Sequence, residues 1–334
     1  MNYKVLITGG LGYIGSYFVE NYSHKYDLKI YDSNLFQYDY SKNSLFENIV
    51  IKDLREISLQ DVLDVDFVIH MGELSNDPLG DFNKHLTNEI NHVATGNLLN
   101  LLNKTDVKKF IYMSSASVYG YSEDIMSETS SVSPLTEYAK AKIKNEEYIL
   151  ENEFSFESII LRNSTAFGFS KNLRLDLVVN DLTYLGFTEK KLTLFSDGTP
   201  VRPIVHIADI SQAIDLLIND RRKLDKQIFN IGSNEMNFSI KDIAEKVAEC
   251  LSLSTITFGD HDPDQRSYKL EFNKFMSYFP NFEIKYDLKE GINNLIHNFK
   301  SYSLTGSEKR MQSLKELIAD KKVDENLFFM RSKN

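Results

Sequence analysis

Two residues with the spacing of neighbours on one helix face point to proton transfer. Tyr138 and Lys142 lie four positions apart in a stretch of helical periodicity, so their side chains should share a helix face. A lysine ammonium beside a phenol favours the phenolate, and a tyrosine that acts as a base near pH 7 needs its pKa lowered by roughly three units, or about 4 kcal/mol. A tyrosine and a lysine at this spacing are also common by chance on exposed helix faces. The elements around the pair must therefore decide its meaning.

A glycine-rich segment near the N-terminus is suited to binding a phosphate group. Residues 8–15 read Thr-Gly-Gly-Leu-Gly-Tyr-Ile-Gly and stand between a predicted strand and a predicted helix. Glycines at such a junction permit a tight turn and a close approach to a pyrophosphate, while the helix N-terminus offers unpaired N–H groups. By itself the pattern also fits an ordinary glycine-rich turn. The expected contacts to a dinucleotide are Gly9, Gly12, Tyr13, Ile14 and Gly15.

An acidic residue at the end of the second predicted strand indicates which dinucleotide would bind. Asp32 follows Gly12 by 20 positions, where a carboxylate would hold the hydroxyl groups of the adenosine ribose. It would repel a 2′-phosphate, and neither Ser33 nor Asn34 offers a guanidinium to receive one. The sequence therefore predicts NAD as the cofactor in preference to NADP.

The hydrophobic pattern predicts the elements that position these residues. Short apolar runs at 4–8, 28–32, 48–52, 66–70, 109–113 and 157–161 are typical of strands buried on both faces. Segments with helical spacing lie between them, at 14–24, 87–103 and 136–152. Strands that alternate with helices predict the α/β class, with a Rossmann-type doubly wound parallel sheet.

Beyond about residue 165 the alternation becomes less regular, which predicts a smaller C-terminal α/β substrate lobe. Helices are expected near 175–187, 207–218 and 239–250, with a strand at 192–195. We assign residues 1–165 to the NAD-binding Rossmann domain, with added elements from about 204–232. Residues 166–334 then form mainly the substrate lobe and C-terminal helices. A charged, periodic stretch at 311–318 predicts a peripheral helix.

Composition excludes several classes of protein. The 334 residues include 38 Lys and Arg against 48 Asp and Glu, and a net charge of -10 argues against a nucleic-acid binder. A single cysteine, Cys250, and no run of apolar residues long enough for a membrane helix suit a cytoplasmic protein. Acidic residues at 260, 262 and 264 imitate a calcium loop, but Gln265 stands where that loop needs glycine. We expect no metal site, no nucleic-acid partner and no membrane contact.

Two further motifs give the chain a resemblance to a known family. Residues 114–120 read Ser-Ser-Ala-Ser-Val-Tyr-Gly directly after a predicted strand, and residues 138–142 read Tyr-Ala-Lys-Ala-Lys on the next helix. With the glycine-rich segment and Asp32, in this order, they resemble the extended short-chain dehydrogenase/reductase family of NAD-dependent nucleotide-sugar epimerases, dehydratases and dehydrogenases. The resemblance covers nearly the whole chain and implies a nucleotide sugar as substrate.

The resemblance also implies roles for individual residues. Tyr138, Lys142 and Ser115 would be catalytic, with Ser115 binding the reacting sugar oxygen and Ser117 as the second candidate. Further cofactor contacts would come from Asp53, Leu54, Met71, Gly72, Asn91 and Ser114. Substrate contacts would come from Glu73, Ser117, Thr165, Asn180, Arg202 and Arg266, with Asn180 and the two arginines holding the diphosphate. Glu73 and Thr165 depart from the residues usual in the family, and the role of Glu73 stays open.

Within that family the reaction would be oxidation of a sugar hydroxyl at C4. A 4,6-dehydratase resembles Thr-Asp-Glu after the catalytic strand, whereas residues 115–117 are Ser-Ala-Ser, so dehydration is disfavoured. Segments 73–81, 174–180 and 200–206 look most like the capsule and lipopolysaccharide branch, and are similar to its GDP-heptose 4-dehydrogenases. The leading hypothesis is NAD-dependent oxidation of GDP-D-glycero-D-manno-heptose to its 4-keto sugar for surface polysaccharide synthesis. The alternatives are a nucleotide-sugar 4-epimerase, like UDP-glucose 4-epimerase, and a catalytically silent NAD-binding regulator.

The family expectation for assembly is a homodimer. The predicted helices at 87–103 and 136–152 carry more apolar positions than one sheet face obviously needs, which suits a four-helix seam with a second copy. These positions are Ile90, Leu98, Leu101, Ile143 and Ile149. The alternative is that these side chains all pack on their own sheet.

Overall fold

The structure is a computed structural model that describes residues 3–41, 43–260 and 266–330. Its strands are β1 (Lys4–Thr8), β2 (Asp27–Asp32), β3 (Ile49–Ile51), β4 (Phe67–His70), β5 (Lys109–Ser115), β6 (Tyr121–Met126), β7 (Glu157–Asn163), β8 (Thr165–Phe167), β9 (Leu192–Leu194), β10 (Val201–His206), β11 (Gln227–Ile231), β12 (Asn237–Ser239), β13 (Ile256–Phe258) and β14 (Ser267–Leu270). Its helices are α1 (Tyr13–Tyr22), α2 (Leu59–Val62), α3 (Asp77–Phe82), α4 (Lys84–Thr87), α5 (Ala94–Leu102), α6 (Glu137–Glu151), α7 (Val178–Glu189), α8 (Ile207–Asn219), α9 (Ile240–Leu251), α10 (Asn273–Tyr278), α11 (Leu288–Phe299) and α12 (Arg310–Ala319).

Seven parallel strands form the central sheet, in the order β11-β7-β5-β4-β1-β2-β3. This confirms the predicted doubly wound α/β fold. The chain runs outward from β1 to one edge and then returns to β4 on the other side of β1. Connections on the two sides therefore diverge at β1 and β4, and such a switch point opens a crevice at the carboxyl ends of the strands.

The apolar runs form the strands because both faces of the sheet are covered. In β1, Val5 and Ile7 pack into one hydrophobic cluster and Leu6 into another on the opposite face, and all three are fully buried. A strand enclosed on both faces needs apolar residues at consecutive positions, which is the pattern in the sequence.

The second lobe is built from small sheets and three helices. Strands β12, β10 and β8 form one sheet, β13 pairs with β9, and β14 pairs with β6. Helices α7, α9 and α11 enclose the core of this lobe. The chain also returns to the first domain, where α8 packs against α1 and β11 extends the central sheet beside β7. The domain limit at residue 165 stays a prediction. Among the described residues, no helix is long and apolar enough to cross a membrane.

The helix expected at 87–103 differs from the prediction in one respect. It begins at Lys84 and contains a π-helical turn, Asn88–Val93, between α4 and α5. Within this turn, the carbonyl oxygen of Asn91 accepts hydrogen bonds from Thr95 Oγ1 at 2.8 Å and from Asn145 Nδ2 at 2.7 Å. These side-chain donors compete with the regular backbone ladder, which hydrophobic spacing does not reveal.

The C-terminal residues 307–330, which we call the C-terminal strap, lie over the first domain. Helix α12 buries Leu314 and Leu317, and Val323 and Leu327 follow them into the same apolar cluster. The first domain contributes Leu74, Leu79 and Leu86 to that cluster. A helix was predicted here as peripheral, but it lies against the edge of the crevice because its apolar face covers these leucines.

Candidate active site

One cavity of about 540 Å³ lies at the carboxyl ends of the central strands and is closed on its other side by the second lobe. Its volume is in the usual range for a small-molecule site. The sequence-predicted residues that line it are Gly9, Gly12, Tyr13, Ile14, Gly15, Asp32, Asp53, Leu54, Met71, Gly72, Glu73, Ser114, Ser115, Ser117, Tyr138, Lys142, Thr165, Arg202 and Arg266. Asn91 and Asn180 are the two predicted residues that do not line it.

The glycine end of the cavity, formed by residues 9–15, has the geometry of an anion site. Gly9 has a φ of +71°, and a Cβ there would come within 2.7 Å of the backbone nitrogen of Gly72. A Cβ on Gly15 would come within 2.5 Å of the Gly9 carbonyl oxygen. Helix α1 begins directly after Gly12 with no acidic residue in its first turn. The positive end of the helix therefore faces the cavity without internal compensation.

Asp32 stands beside this turn. Its carboxylate accepts hydrogen bonds from the backbone nitrogens of Leu11 at 2.9 Å and Asn34 at 2.7 Å. Enclosure raises the pKa of Asp32, and these two backbone donors oppose the increase. The two backbone bonds fix the carboxylate at the cavity wall, where it fits the predicted contact to ribose hydroxyl groups.

Asp53 and Leu54 lie farther along the same wall. The Asp53 carboxylate forms a two-point ion pair with Arg55, through Nε and Nη2 at 2.8 Å each. Arg55 Nη2 also donates to the carbonyl oxygen of Asn326 at 2.8 Å. The adenine contact predicted for Asp53 is therefore joined to the C-terminal strap through Arg55.

The tyrosine end of the cavity is formed by Ser115, Tyr138 and Lys142. Lys142 Nζ lies 5.5 Å from the centre of the Tyr138 ring and donates to the carbonyl oxygen of Met113 at 2.5 Å. Its ion-pair partner is Glu73, with Nζ 2.8 Å from Oε2 and side chains that are only 4% and 1% exposed. Glu73 Oε1 in turn accepts from the Tyr112 hydroxyl at 2.8 Å. Glu73 therefore pairs with Lys142, the lysine that the resemblance assigns to catalysis, and it also lines the cavity.

The pKa of Tyr138 moves opposite to the direction expected from the helix spacing. Burial raises it well above its usual value, and the charges of Glu73 and Asp77 raise it further. A hydrogen bond with Ser115 and the charge of Arg174 oppose this increase. In the protein without ligands, burial and these two carboxylates outweigh the effect expected from a neighbouring lysine, and a lowered pKa in the cofactor-bound protein stays a prediction.

Helix α3 holds Tyr138 in place. Thr136, which caps α6, donates to Asp77, and the backbone nitrogen of Glu137 donates to Asp81 Oδ1 at 2.9 Å. Gly80 lies so close to α6 that a Cβ would come within 2.7 Å of the Tyr138 Cβ. The first turn of α6 is thus fixed by a segment that the sequence did not single out for positioning.

Asn91 and Asn180 act behind the cavity wall. Asn91 is fully buried, and its amide accepts from the nitrogen of Leu74 at 2.8 Å and donates to the carbonyl oxygen of Leu74 at 3.1 Å. Asn180, also fully buried, accepts from the Gly168 nitrogen and donates to the Tyr13 hydroxyl, both at 3.0 Å. The expected substrate contact of Asn180 is wrong, since its amide is committed to protein groups. Asn91 supports the loop after β4 instead of touching the cavity.

Both predicted arginines of the second lobe reach the cavity. Arg266 forms an ion pair with Asp77, and Arg202 donates to the backbone carbonyl of Arg266. Thr165 lies near them on the wall. The calcium-like pattern falls at 261–265, outside the described residues. Within the described ranges, no group of three His, Cys, Asp or Glu side chains is placed to hold a metal ion.

Several residues of the site escaped the sequence analysis. Asn163 Oδ1 and Ser164 Oγ are buried without a hydrogen-bond partner among the described residues, and both residues line the cavity. The same holds for Ser117 Oγ, which the sequence analysis did single out. Arg310 of α12 also lines it. A signal for Arg310 existed, since positions 310, 314 and 317 share one helix face, and an arginine there interrupts an apolar stripe.

Comparisons with known proteins identify the family of the chain. The profile of the NAD dependent epimerase/dehydratase family matches residues 5–232. The chain is 27% identical to a UDP-glucose 4-epimerase of Halalkalibacterium halodurans, over 72% of this chain and 78% of that protein. It is 25% identical to a UDP-glucuronate 4-epimerase of Thermodesulfobacterium geofontis, over 72% of this chain and 74% of that protein.

A solved structure shares the fold. The UDP-glucuronic acid 4-epimerase of Bacillus cereus, determined with UDP-glucuronic acid and NAD, superposes with a TM-score of 0.76 at 24% identity. The match covers 89% of this chain and 99% of that one. Since the family profile spans more than half of the chain, and the glycine end and Asp32 fit a dinucleotide, the cofactor is NAD and the protein belongs to the NAD dependent epimerase/dehydratase family.

Proposed function

We propose that this protein is a nucleotide-sugar 4-epimerase, which oxidises the C4 hydroxyl of its substrate and then reduces the ketone on the other face. The observation that supports this best is the convergence of Ser115, Tyr138 and Lys142 on the cavity that also contains the glycine-rich turn. A base and a cofactor cradle in one enclosed space are what hydroxyl oxidation requires.

Four residues of the chain have separate roles in proton transfer. Bound NAD supplies the acceptor for the hydride. Tyr138 takes the proton from the C4 hydroxyl, and Ser115 hydrogen-bonds the same sugar oxygen. Lys142, held at 2.8 Å from Glu73, stabilises the phenolate, and the Glu73 carboxylate keeps the local charge near zero. In this buried pair each side chain offsets the charge of the other at an enclosed position.

The unpartnered polar atoms support a sugar as the ligand. Ser117 Oγ, Asn163 Oδ1 and Ser164 Oγ are buried beside the catalytic residues without partners in the described part of the chain. A buried polar atom without a partner costs free energy, which a ligand rich in hydroxyl groups recovers. Arg202 and Arg266 fit the diphosphate of a nucleotide sugar, because a guanidinium matches paired phosphate oxygens.

Two observations favour epimerisation over the other reactions of the family. The relatives reported above are named as 4-epimerases of UDP sugars. The position after Ser115 is Ala116, which is 1% exposed, so no acid stands there to eliminate water. The GDP-heptose 4-dehydrogenase remains a hypothesis without support from these relatives, and the silent regulator is disfavoured by the intact catalytic residues.

The nature of the product distinguishes the two reactions. The purified protein is incubated with NAD and with UDP-linked hexoses or a GDP-linked heptose. We expect a product of equal mass with inverted C4 and no net NADH. A 4-keto product two mass units lighter, with turnover that depends on an added carbonyl acceptor, would support the dehydrogenase. Absence of turnover across the whole panel would support the regulator.

A kinetic comparison tests the diphosphate site. Arg202→Ala and Arg266→Ala should each raise the Michaelis constant by about tenfold or more and leave NAD affinity nearly unchanged, since each guanidinium would bond the substrate diphosphate and not NAD. Arg266→Ala also breaks the ion pair with Asp77. Lys241→Ala, an exposed cation on α9, is the control. Unchanged Michaelis constants in both arginine variants would move the substrate site elsewhere.

The homodimer remains a prediction. Leu98 and Ile149 are fully buried within their own chain, whereas Ile90, Leu101 and Ile143 are only partly buried. Ile90 lines the cavity, which leaves Leu101 and Ile143 as candidates for a seam. Light scattering at micromolar concentration will separate a dimer from a monomer.

A further inference from the structure

Arg310 is a buried cation without a carboxylate partner. Arg310 is only 2% exposed, and no carboxylate among the described residues lies within ion-pair distance of its guanidinium. Burial and, to a lesser extent, the charge of Arg174 lower the pKa of Arg310 to about 10, against the opposing charges of Asp176 and Glu308. The guanidinium still carries its charge at neutral pH. Arg174, by contrast, is paired with Asp176 at 2.8 Å.

The guanidinium of Arg310 lies beside the glycine end of the cavity. Nη2 donates to Asn172 Oδ1 at 2.6 Å, and Asn172 Nδ2 donates to the carbonyl oxygen of Leu11 in the glycine-rich turn at 2.5 Å. The ring of Phe36 lies 4.7 Å from the guanidinium carbon. Nη1 donates to the carbonyl oxygen of Ser307 at 2.5 Å. These neutral acceptors orient the cation, while the carboxylates that act on it, Asp32, Asp176 and Glu308, lie beyond ion-pair distance.

The segment that carries Arg310 is anchored on both sides of the cavity. At the start of the C-terminal strap, the carbonyl oxygen of Glu308 accepts from the nitrogen of Leu175 in the second lobe at 2.8 Å. At its far end, the carbonyl oxygen of Asn326 accepts from Arg55 of the first domain, and the Phe328 ring lies 3.9 Å from that guanidinium. Leu327 itself lines the cavity. The strap thus crosses from one lobe to the other over the glycine end.

We propose that Arg310 binds the diphosphate of NAD and that the C-terminal strap closes the glycine end of the cavity, so that bound NAD exchanges slowly. An anion beside the α1 N-terminus would provide the charge partner that Arg310 lacks. The strap lies outside the residues 5–232 that match the family profile. The proposal rests on NAD binding and not on the C4 reaction, so either can fail alone. A retained cofactor suits a reaction that restores NAD in every cycle.

The first experiment measures equilibrium binding of three probes by calorimetry. NAD and ADP-ribose carry the diphosphate, and adenosine does not. We expect Arg310→Gln to weaken the binding of NAD and ADP-ribose by about ten- to a hundredfold and to leave the binding of adenosine unchanged. Arg310→Lys should recover part of the lost affinity. Lys315→Gln, an exposed cation on the same helix, is the control and should bind all probes normally. An equal loss for adenosine, or a change in NAD affinity below twofold, would overturn the role of Arg310.

The second experiment measures how fast NADH leaves, by fluorescence after a chase with excess NAD. Phe328→Ala removes a contact of the strap outside the cavity, and Phe329→Ala, an exposed neighbour, is the control. We expect release to accelerate by about tenfold in Phe328→Ala and not in Phe329→Ala. Equal release rates in both variants and the parent protein would overturn the closure, even if Arg310→Gln proved too unstable to purify.

Discussion

The tyrosine end and the glycine end of the cavity each contain a buried cation, and the two cations are compensated differently. Lys142 pairs with Glu73 inside the protein, at 2.8 Å. Arg310 has neutral hydrogen-bond acceptors and an aromatic ring in contact with it in the described residues, and the nearby carboxylates do not form an ion pair with it. A buried charge pair is nearly neutral to an arriving ligand, whereas an uncompensated buried cation is costly until an anion arrives. The difference indicates chemistry at one end and anion binding at the other.

The largest effect should come from removing the base at the tyrosine end. Tyr138→Phe should lower turnover by at least about a hundredfold, the usual scale for a positioned acid or base, and leave NAD affinity nearly intact. Tyr148→Phe on the same helix loses a hydroxyl that bonds only the exposed Asn100, and its turnover should be normal. Near-normal turnover in Tyr138→Phe would exclude the proposed base.

Breaking the Glu73–Lys142 ion pair should have the next largest effect. Glu73→Gln leaves Lys142 buried without its partner, so the free energy of unfolding should fall by about 3 kcal/mol. Because the Glu73 charge raises the pKa of Tyr138, its removal lowers that pKa, and the acid limb of the pH–turnover profile should move to lower pH.

Glu147→Gln, an exposed acid on α6, is the matched control for both measurements. A pH profile that stays in place in Glu73→Gln would show that the carboxylate does not act on the tyrosine.

A steric change tests the positioning of the base. Gly80→Ala would place a Cβ 2.7 Å from the Tyr138 Cβ, so α3 must move away from α6, and turnover should fall by about tenfold. At Gly96, on α5, the nearest heavy atom would be 4.0 Å away. Gly96→Ala should therefore keep full turnover and gain up to about 1 kcal/mol of stability from helix propensity. Equal turnover in the two variants would contradict a positioning role for α3.

The smallest effect concerns cofactor choice at the glycine end. Asp32→Ala removes the carboxylate that disfavours a 2′-phosphate. The ratio of the NADPH dissociation constant to the NADH dissociation constant should therefore fall by about tenfold. Binding constants for both cofactors, measured in the parent and the variant, give the ratio. Tighter binding of NADPH than NADH by the parent protein would show that the interpretation of Asp32 is wrong.

The parts of the site that the sequence predicts are those whose partners are close along the chain. Gly9, Gly15 and Asp32 belong to one strand–helix–strand unit, and Tyr138 and Lys142 share one helix. The Glu73–Lys142 pair joins β4 to α6, across 69 positions, and depends on tertiary packing that local patterns do not encode. For Asn180, by contrast, the sequence predicted a contact that the structure does not show. A resemblance in sequence placed it at the substrate, while the fold directs its amide to Tyr13 and Gly168.

In the fold, too, local features are predictable from the sequence and features set by tertiary packing are not. The strands of the central sheet are predictable because burial on both faces leaves continuous apolar runs. The strap was recognised only as a periodic helix, since its destination depends on leucines more than 200 positions away, such as Leu79 and Leu86.

The hydroxyl of Tyr13 donates to the Gly168 carbonyl at 2.6 Å, and the neighbouring Ser16 hydroxyl bonds that of Ser170 at 2.9 Å. Both hydrogen bonds are buried, and they connect the first turn of α1 to the second lobe. A hinge between the lobes would have to break them, together with the bond from Asn172 to Leu11. These hydrogen bonds oppose a hinge motion between the lobes, so we expect small molecules to enter and leave through movements of surface segments rather than through domain opening.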